Sequence, residues 1–168
     1  MSLAHDELQF CSFRLAGRLF GVDILDVKEV SDELRITPIA HAPTEIAGYM
    51  NLRGQIHLVV DLRKVFRFES ADFTDESRVV IFKSTVDEPF GVIVDSTDQV
   101  VKVTKERIEE RRKTGDEVPA EIQERRKAAI ELTQGVCKLD RDLMVVLSAR
   151  GILSTIQELE SKTKEKTC

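Results

Sequence analysis

The side chains that most often carry catalysis are few and scattered in this sequence. Its three histidines, His5, His41 and His57, lie at no metal-ligand spacing from a cysteine or a carboxylate. His57 and Asp61 are four residues apart, along a predicted strand and at its end, so both could point the same way. At a strand rise of about 3.3 Å per residue they lie about 13 Å apart, too far for direct acid–base coupling. We interpret them as a half-buried strand residue and a helix cap.

Nucleophile and phosphate-binding motifs are missing as well. Ser12, Ser96 and Ser148 lie in no G-x-S-x-G turn, and the eight glycines are dispersed rather than gathered in a phosphate loop. The three cysteines are widely spaced and odd in number, which favours free thiols in a reducing cytoplasm over a disulfide framework. We therefore predict no catalytic residue, no metal site and no cofactor.

Two charged side chains are candidates for recognition instead. Arg53 stands in a predicted tight turn beside Asn51. It could be a solvated turn residue, half of an ion pair, or a preoriented fork for a partner's carboxylate. Turns on a rigid scaffold often carry binding residues. Glu29 lies between Val27 and Val30, and by itself it is better explained as a solvated helix residue than as a binding residue.

Composition excludes several classes of protein. The chain has 168 residues, 42% of them apolar, and a net charge of −5. It is long enough for one large domain or two small lobes with a sizeable core. The negative charge argues against a basic surface for nucleic acid or anionic membrane. No stretch approaches the roughly 20 apolar residues that span a bilayer, and the N-terminus does not resemble a secretion signal. We predict no nucleic-acid partner and no direct membrane insertion.

The sequence repeats itself, which predicts two lobes built on one plan. Residues 48–66 align without a gap on residues 135–153, so that Gly48 falls on Gly135, Asp61 on Ser148 and Arg63 on Arg150. A second echo lies upstream, where Phe20-Gly21-Val22 recurs as Phe90-Gly91-Val92, and Val30 recurs as Val100. The repeat therefore predicts a seam between two similar lobes.

Short apolar runs punctuated by turn residues predict a mainly β fold. We expect strands near residues 9–15, 19–24, 35–39, 49–52, 56–60, 78–83, 90–94, 99–103, 133–138 and 143–147. Ile24, Val27 and Val30 recur at a spacing of three, which favours a short helix, and residues 43–48 read as one helical turn. Asp61 and Ser148 are predicted N-caps of helices over 62–66 and 149–160.

The domain division follows from these elements. We predict one domain over 8–154, with lobe 1 at about 20–75 and lobe 2 at about 76–150, and with 8–19 and 152–160 packing across both. Residues 105–130 form a charged insert, either a solvated helix or loop or a docking surface, in which Pro119 could begin a helix. Residues 161–168 are predicted to be a flexible tail.

Several of these segments together resemble one family. They are F-G-V-D-I at 20–24, N-L-R-G at 51–54, V-V-D-L-R at 59–63 and G-V-I-V-D at 91–95. They resemble the CheW family of bacterial chemotaxis coupling proteins, over nearly the whole chain. The resemblance implies two SH3-like five-stranded β-barrels packed together, with short helices and a C-terminal helix. It implies no catalytic activity and a cytoplasmic protein recruited to membrane-associated receptor arrays.

The resemblance also implies partners and contact residues. Family members bridge the cytoplasmic tip of chemoreceptors to the regulatory domain of a histidine kinase. A receptor helix would dock in the apolar groove between the lobes, and the kinase domain would pair barrel to barrel. Carried over to this chain, the implied receptor- and kinase-binding residues are Val27, Glu29, Val30, Asn51, Arg53, Val79, Val94 and Val100.

Two alternatives stay open. The chain could be a CheW-like interaction domain of another chemosensory or pilus-motility complex. In a different class, small barrels bind single-stranded nucleic acid through aromatic platforms and basic grooves. This sequence has one Tyr, no Trp and a negative net charge, which disfavours that reading.

Overall fold

The computed structural model describes residues 7–83, 89–110 and 131–166, with side chains described as far as residue 161. This part of the chain is mainly β. Its strands are β1 (Glu7–Leu15), β2 (Arg18–Asp23), β3 (Val27–Ser31), β4 (Ile46–Leu52), β5 (Gln55–Asp61), β6 (Arg78–Phe82), β7 (Phe90–Val94), β8 (Ser96–Thr104), β9 (Ile108–Glu110), β10 (Thr133–Lys138) and β11 (Leu143–Leu147). Helix α1 (Leu62–Val65) follows β5, and the C-terminal helix (Ala149–Lys166) follows β11.

The strands form two sheets. One has six strands in the order β8-β1-β2-β11-β10-β9, and the other has five in the order β3-β6-β7-β5-β4. The predicted mainly β fold with two subdomains is confirmed. The five-strand count holds for one of them only, because the short strand β9 adds a sixth strand to the other.

The first five strands of the six-stranded order repeat the arrangement of the five-stranded sheet. Reading from β3 or from β8, each has an antiparallel hairpin next, then a parallel pairing, then a second hairpin. The parallel pairs are β7 with β5 and β2 with β11. Gly48 and Gly135 are equivalent as well. A Cβ at Gly48 would collide with the Thr37 carbonyl, and a Cβ at Gly135 would collide with the Glu109 carbonyl. The internal sequence repeat is therefore a repeat of structure.

The predicted lobe boundaries do not coincide with the sheets. β6 and β7, assigned to lobe 2, pair within the five-stranded sheet, whereas β1 and β2 complete the six-stranded sheet with the second repeat. Each lobe thus contains a hairpin distant in sequence from its own repeat. Long-range pairing of this kind leaves no local signal in the sequence, which is why the boundary near residue 76 was wrong.

Three apolar clusters hold the fold together. One outer cluster lies on the six-stranded sheet, around Phe10 and Met144, and the other lies on the five-stranded sheet, around Met50 and Val59. A larger central cluster joins both sheets and the C-terminal helix; its members include Phe13, Phe20, Val60, Val80, Phe82, Val92, Leu147 and Ile156. Within the part of the chain that the structure describes, the seam between the lobes is thus filled largely by packed side chains.

The predicted helix over Ile24 to Val30 is wrong. A 3₁₀ turn spans Ile24–Asp26 and is followed by strand β3. A β-bulge between Val27 and Glu29 adds a residue to β3, so that Val27 pairs with Phe82 and Val30 with Val80. A bulge of this kind puts residues three apart on one face of a strand, which imitates helical spacing.

Three smaller expectations also change. The strand expected at 35–39 is reduced to one bridge between Thr37 and Tyr49. A turn does form at Pro43, whose carbonyl accepts from the Ile46 N–H at 3.0 Å, but Ile46 already begins β4. The C-terminal helix continues to Lys166, beyond its predicted end at residue 160 and into the predicted flexible tail.

The charged insert is only partly covered. Its first residues form a 3₁₀ turn at Lys105–Arg107 and strand β9. Its remainder, including the helix predicted to begin at Pro119, lies outside the described residues. In the described segments, no helix combines the length and the apolar character needed to cross a membrane.

Candidate functional site

Arg53 and Glu29 meet across the two edges of the five-stranded sheet. Glu29 lies on edge strand β3, and Arg53 lies in the turn between β5 and the opposite edge strand β4. Arg53 Nη1 is 2.8 Å from Glu29 Oε2, with side chains 74% and 24% exposed. The ion pair therefore connects the two edges of the sheet, and most of the Arg53 side chain is exposed to solvent.

The turn that carries Arg53 is tightly constrained. Arg53 has φ 52° and Gly54 has φ 85°, as the two central residues of a type I′ turn require. Asn51 Oδ1 accepts a hydrogen bond from the Gly54 N–H at 2.9 Å, which fixes the turn. A positive φ costs a residue with a Cβ about 1–2 kcal/mol. The backbone therefore holds Arg53 outward on a rigid hairpin.

Val27 and Val30 on edge strand β3 and Val100 on edge strand β8 lie on the sheet faces that carry the central cluster; we call this surface the crease. Val30 on edge strand β3 pairs with Val80, a member of the central cluster. Val100 on edge strand β8 pairs with Cys11, which packs against the same cluster. Directly paired residues share a face of the sheet. Val30 and Val100 are 40% and 47% exposed, so two apolar rims border one core.

Two of the predicted contact residues lie elsewhere. Val79 is 0% exposed and belongs to the outer cluster of the five-stranded sheet, while Val94 is 1% exposed within the central cluster. The expectation that they line an open groove is wrong, because their side chains are enclosed by other core residues. Val27, Val30 and Val100 lie at the crease, Asn51 and Arg53 lie at the hairpin turn, and Glu29 pairs with Arg53 from β3. Their role in binding a receptor or kinase stays a prediction.

A second apolar surface was missed by the sequence reasoning. Tyr49 on β4 and Ile56 on β5 are 46% and 54% exposed. Tyr49 pairs with Leu58 and Asn51 pairs with Ile56, so Tyr49 and Ile56 are diagonal neighbours on one face. Their apolar character was visible in the sequence, but their exposure depends on where the central cluster ends along the hairpin.

The two predicted N-caps are confirmed. Asp61 Oδ1 accepts from the Arg63 N–H at 3.1 Å ahead of α1, and Ser148 Oγ accepts from the Gly151 N–H at 3.1 Å at the start of the C-terminal helix. The pKa of Asp61 is raised overall. Desolvation raises it, and this outweighs the lowering by the Lys64 charge and by the backbone N–H groups of Arg63 and Lys64. Each oxygen serves the same structural purpose at equivalent positions of the repeat.

The structure forms no acid–base pair from His57 and Asp61. His57 is 1% exposed, and its Nδ1 lies 3.1 Å from the carbonyl oxygen of Gln55 on its own strand, so it is a buried structural residue of β5. Asp61 is occupied as a helix cap. Among the described residues, no group of three or more His, Cys, Asp or Glu side chains is placed to hold a metal ion.

Comparison with known proteins matches this arrangement to one family. A family model described as the CheW-like domain matches residues 9–157. The chain belongs to the CheW-like family. The chemotaxis protein CheW of Klebsiella aerogenes is 36% identical over 100 residues, a match that spans 60% of each chain. The chemotaxis protein CheW of Bacillus subtilis is 27% identical over 141 residues, covering 84% of this chain and 83% of that relative.

A solved structure shares the CheW-like fold. The crystal structure of the scaffolding protein TtCheW from Thermoanaerobacter tengcongensis superposes with a TM-score of 0.70 at 28% sequence identity. The match covers 84% of this chain and 88% of that one. A likeness of this extent includes both sheets rather than one lobe.

In this CheW-like domain an ion pair lies where the chain passes between the sheets. Arg63 Nε and Nη2 donate to Asp95 Oδ1 and Oδ2 at 2.7 and 2.8 Å, a bidentate pair. Desolvation tends to raise the pKa of Asp95, but hydrogen bonds from Arg63 and the Ala16 N–H, with the Arg63 charge, lower it overall. In the sequence, Arg63 and Asp95 stand out only as members of the motifs V-V-D-L-R and G-V-I-V-D, and no pattern predicts that they pair.

The lowered pKa of Asp95 predicts how its contribution to stability depends on pH. A carboxylate with a folded-state pKa below its unfolded value of about 4 contributes fully above that value. The contribution is then lost as pH falls through the folded-state pKa. We expect urea unfolding to show wild type more stable than Asp95→Asn at pH 7, with the gap narrowing below pH ~4. The raised pKa of Asp61 has the opposite effect on stability at low pH, but it is present in both wild type and Asp95→Asn and cancels in their difference. A difference in unfolding free energy that stays constant with pH would contradict the prediction.

Proposed function

We propose that this chain is a non-catalytic adaptor that couples chemoreceptors to a histidine kinase in bacterial chemotaxis signalling. The observation that carries the proposal is the crease: two equivalent apolar rims on the edges of two similar sheets, beside an exposed arginine on a rigid turn. The family membership and the chemotaxis relatives support the same role. The adaptor would act in the cytoplasm and be recruited to receptor arrays at the membrane.

The crease is the proposed site for the receptor tip. Val27, Val30 and Val100 offer apolar anchors of the kind that hold an amphipathic helix in a groove. Glu29 lies on the same edge strand as Val27 and Val30, and Arg53 reaches it from the β4–β5 turn at the opposite edge of the sheet; these rim charges would set register and orientation. Affinity would thus come from the valines, and specificity from the charged pair.

The Tyr49–Ile56 face is the proposed second contact, with the regulatory domain of the kinase. Exposed aromatic and aliphatic side chains on a flat hairpin face suit the pairing of one barrel with another, and aromatic residues are enriched in such interfaces. The face lies on the same hairpin as Arg53, so one rigid element would contact both partners. Rigid contact of this kind could transmit receptor conformation without any chemistry in the adaptor.

A pull-down from cytoplasmic extract tests the assignment. We expect the immobilised chain to retain a histidine kinase and a methyl-accepting receptor, both identified by mass spectrometry. Retention of a pilus-motility kinase in their place would favour the alternative of another chemosensory complex. Tight, salt-sensitive binding to a labelled oligonucleotide, with neither protein retained, would reject the adaptor in favour of a nucleic-acid binder.

The crease yields a specific prediction. Val100→Glu puts a charge on the rim, and burying that unpaired charge under a receptor helix should weaken receptor retention by about tenfold or more. The thermal midpoint should hardly change, because Val100 is 47% exposed. Titration against a receptor-tip fragment measures the affinity.

Leu143→Glu is the matched control for that variant. Leu143 is 58% exposed on the same six-stranded sheet but lies on β11 rather than on edge strand β8. It should leave receptor affinity unchanged. Equal weakening by both variants would show that added negative charge, not the crease, is responsible.

A further inference from the structure

The chain passes directly from one sheet to the other at two points in the described residues. It leaves β2 for β3 through the 3₁₀ turn Ile24–Asp26, and it leaves β7 for β8 through the single residue Asp95. Each crossing leads into the edge strand that bears a crease valine, Val30 or Val100. The crossings therefore connect the packing between the lobes with the geometry of the crease.

The crossing at Asp95 is tied to both lobes. Its carboxylate accepts two hydrogen bonds from Arg63, which follows the N-cap of α1 beside the five-stranded sheet. Asp95 Oδ2 also accepts from the Ala16 N–H at 2.8 Å, and the Asp95 N–H donates to the Arg14 carbonyl at 3.0 Å. Ala16 and Arg14 belong to the β1–β2 hairpin of the other sheet. One carboxylate thus bridges the two lobes.

Arg63 is in turn held on its far side. Its Nη1 donates to the Glu69 carbonyl oxygen at 2.6 Å, while Nε and Nη2 donate to Asp95, so the guanidinium is held from two sides. The side chains of Arg63 and Asp95 are only 18% and 32% exposed. Partial burial reduces screening by solvent and salt, and a bidentate geometry restricts rotation as well as separation. Such a pair can hold two elements at a fixed angle.

The crossing at Asp26 lacks such a tie. By the repeat, Arg150 is the equivalent of Arg63; burial and the Asp23 charge raise the pKa of Asp26, and the charges of Lys83 and Arg150 lower it only in part. Yet the salt bridges among the described residues include none between Asp26 and Arg150, and the bond described for the Asp26 carbonyl is a backbone bond from the Lys83 N–H, at 2.9 Å. None of the three turn residues Ile24–Asp26 is buried. Two equivalent crossings thus differ in how firmly they are held.

We propose that Arg63 and Asp95 form an interlobe latch that fixes the angle between the two sheets, and thereby the width of the crease between Val30 and Val100. With the latch closed, the lobes keep one separation at the Asp95 crossing, and adjustment is confined to the looser Asp26 crossing. Opening the latch frees both crossings, so the distance between the two rims becomes longer on average and varies more widely. Arg63 and Asp95 are in this sense positioning residues, since they set the crease without lying on it.

Distances between spin labels test the latch in the free protein. Labels are attached at Val30→Cys and Val100→Cys in full-length protein whose three native cysteines are replaced by alanine. We expect Arg63→Gln to shift the distance distribution to longer values and to broaden it. A label pair at Val30→Cys and Ile56→Cys, both on the five-stranded sheet, should be unaffected because it spans one lobe only.

Arg14→Gln is the matched control variant. Arg14 also forms ion pairs, with Asp98 at 3.6 Å and Asp142 at 3.1 Å, but Asp98 lies within β8 and Asp142 directly precedes β11, both strands of its own six-stranded sheet. It should leave the distance between the rims unchanged. If Arg14→Gln widens the distribution as much as Arg63→Gln does, general loosening is the cause and the latch is rejected.

Two further variants keep the test decisive. Arg63→Lys keeps the charge but loses the fork, and Asp95→Asn keeps the size but loses the negative charge. If Arg63→Gln does not fold, a longer and broader distance in either of these supports the latch. An unchanged distribution in every folded latch variant overturns it. Because no partner is present, this result is independent of the adaptor assignment; loss of receptor and kinase binding in the pull-down would reject that assignment separately.

Discussion

Val60→Asp is expected to abolish folding. Val60 is 1% exposed and pairs with Ile46 on one side and Val92 on the other, all three within the central cluster. An ionised carboxylate there has no partner, and burying an unpaired charge costs several kcal/mol. The whole stability of a domain is about 5–15 kcal/mol. Because the central cluster joins both sheets, the loss should affect both lobes. Soluble yield and the circular dichroism spectrum measure it.

The same strand supplies a control for that substitution. Ile56 lies four residues before Val60, on the same face of β5, but is 54% exposed where Val60 is buried. Ile56→Asp should change the free energy of unfolding by roughly 0.5 kcal/mol or less, as surface substitutions do. A soluble Val60→Asp protein with a native spectrum would show that the central cluster is not the core we describe.

Arg53→Glu is expected to disrupt assembly with receptor and kinase while leaving the fold intact. The exposed pair with Glu29 contributes about 0–1 kcal/mol, so the thermal midpoint should move little. At an interface the same change replaces a guanidinium with a carboxylate facing the partner's complementary charge, and juxtaposed like charges cost several kcal/mol. We expect at least a hundredfold weaker binding, measured by titration with a receptor-tip fragment and with the kinase regulatory domain.

Arg141→Glu provides the matched charge change. Arg141 is exposed in the turn between β10 and β11, the hairpin that repeats β4–β5 in the other lobe. It alters the net charge by the same amount, and it should leave both affinities near those of wild type. If Arg53→Glu binds both partners as wild type does, Arg53 is a turn residue and nothing more.

Measuring the receptor affinity and the kinase affinity of Arg53→Glu separately also shows which partner Arg53 contacts. If Arg53 sets the register of the receptor helix alone, the kinase affinity should survive the change. If Arg53 belongs to a hairpin that contacts both partners, both affinities should fall. The Tyr49–Ile56 face, on the same hairpin, predicts the second outcome.

Most hairpins could be predicted from the sequence because their determinants are local. β10 and β11 have the predicted bounds, and the turn at Arg53 and Gly54 follows from a glycine between two apolar runs. The N-caps at Asp61 and Ser148 needed only a side-chain oxygen ahead of a helix. By contrast, the spacing of Ile24, Val27 and Val30 predicts a helix where β3 forms, because the bulge in β3 depends on pairing with β6, a strand about fifty residues away in the sequence.

The division of surface from core could not be determined in the same way. Val30, Val79, Val94 and Val100 are the same residue type on four strands, yet two are enclosed and two are on open rims. Whether a strand valine is covered depends on which strand lies beside it and on where the sheet ends. Pairings between distant segments decide both, as do the two crossings at which the chain changes sheets. The sequence by itself determined the repeated β architecture and the family. Only the tertiary structure decided which side chains the two lobes leave exposed to a partner, because burial is a property of the assembled sheets and not of any one strand.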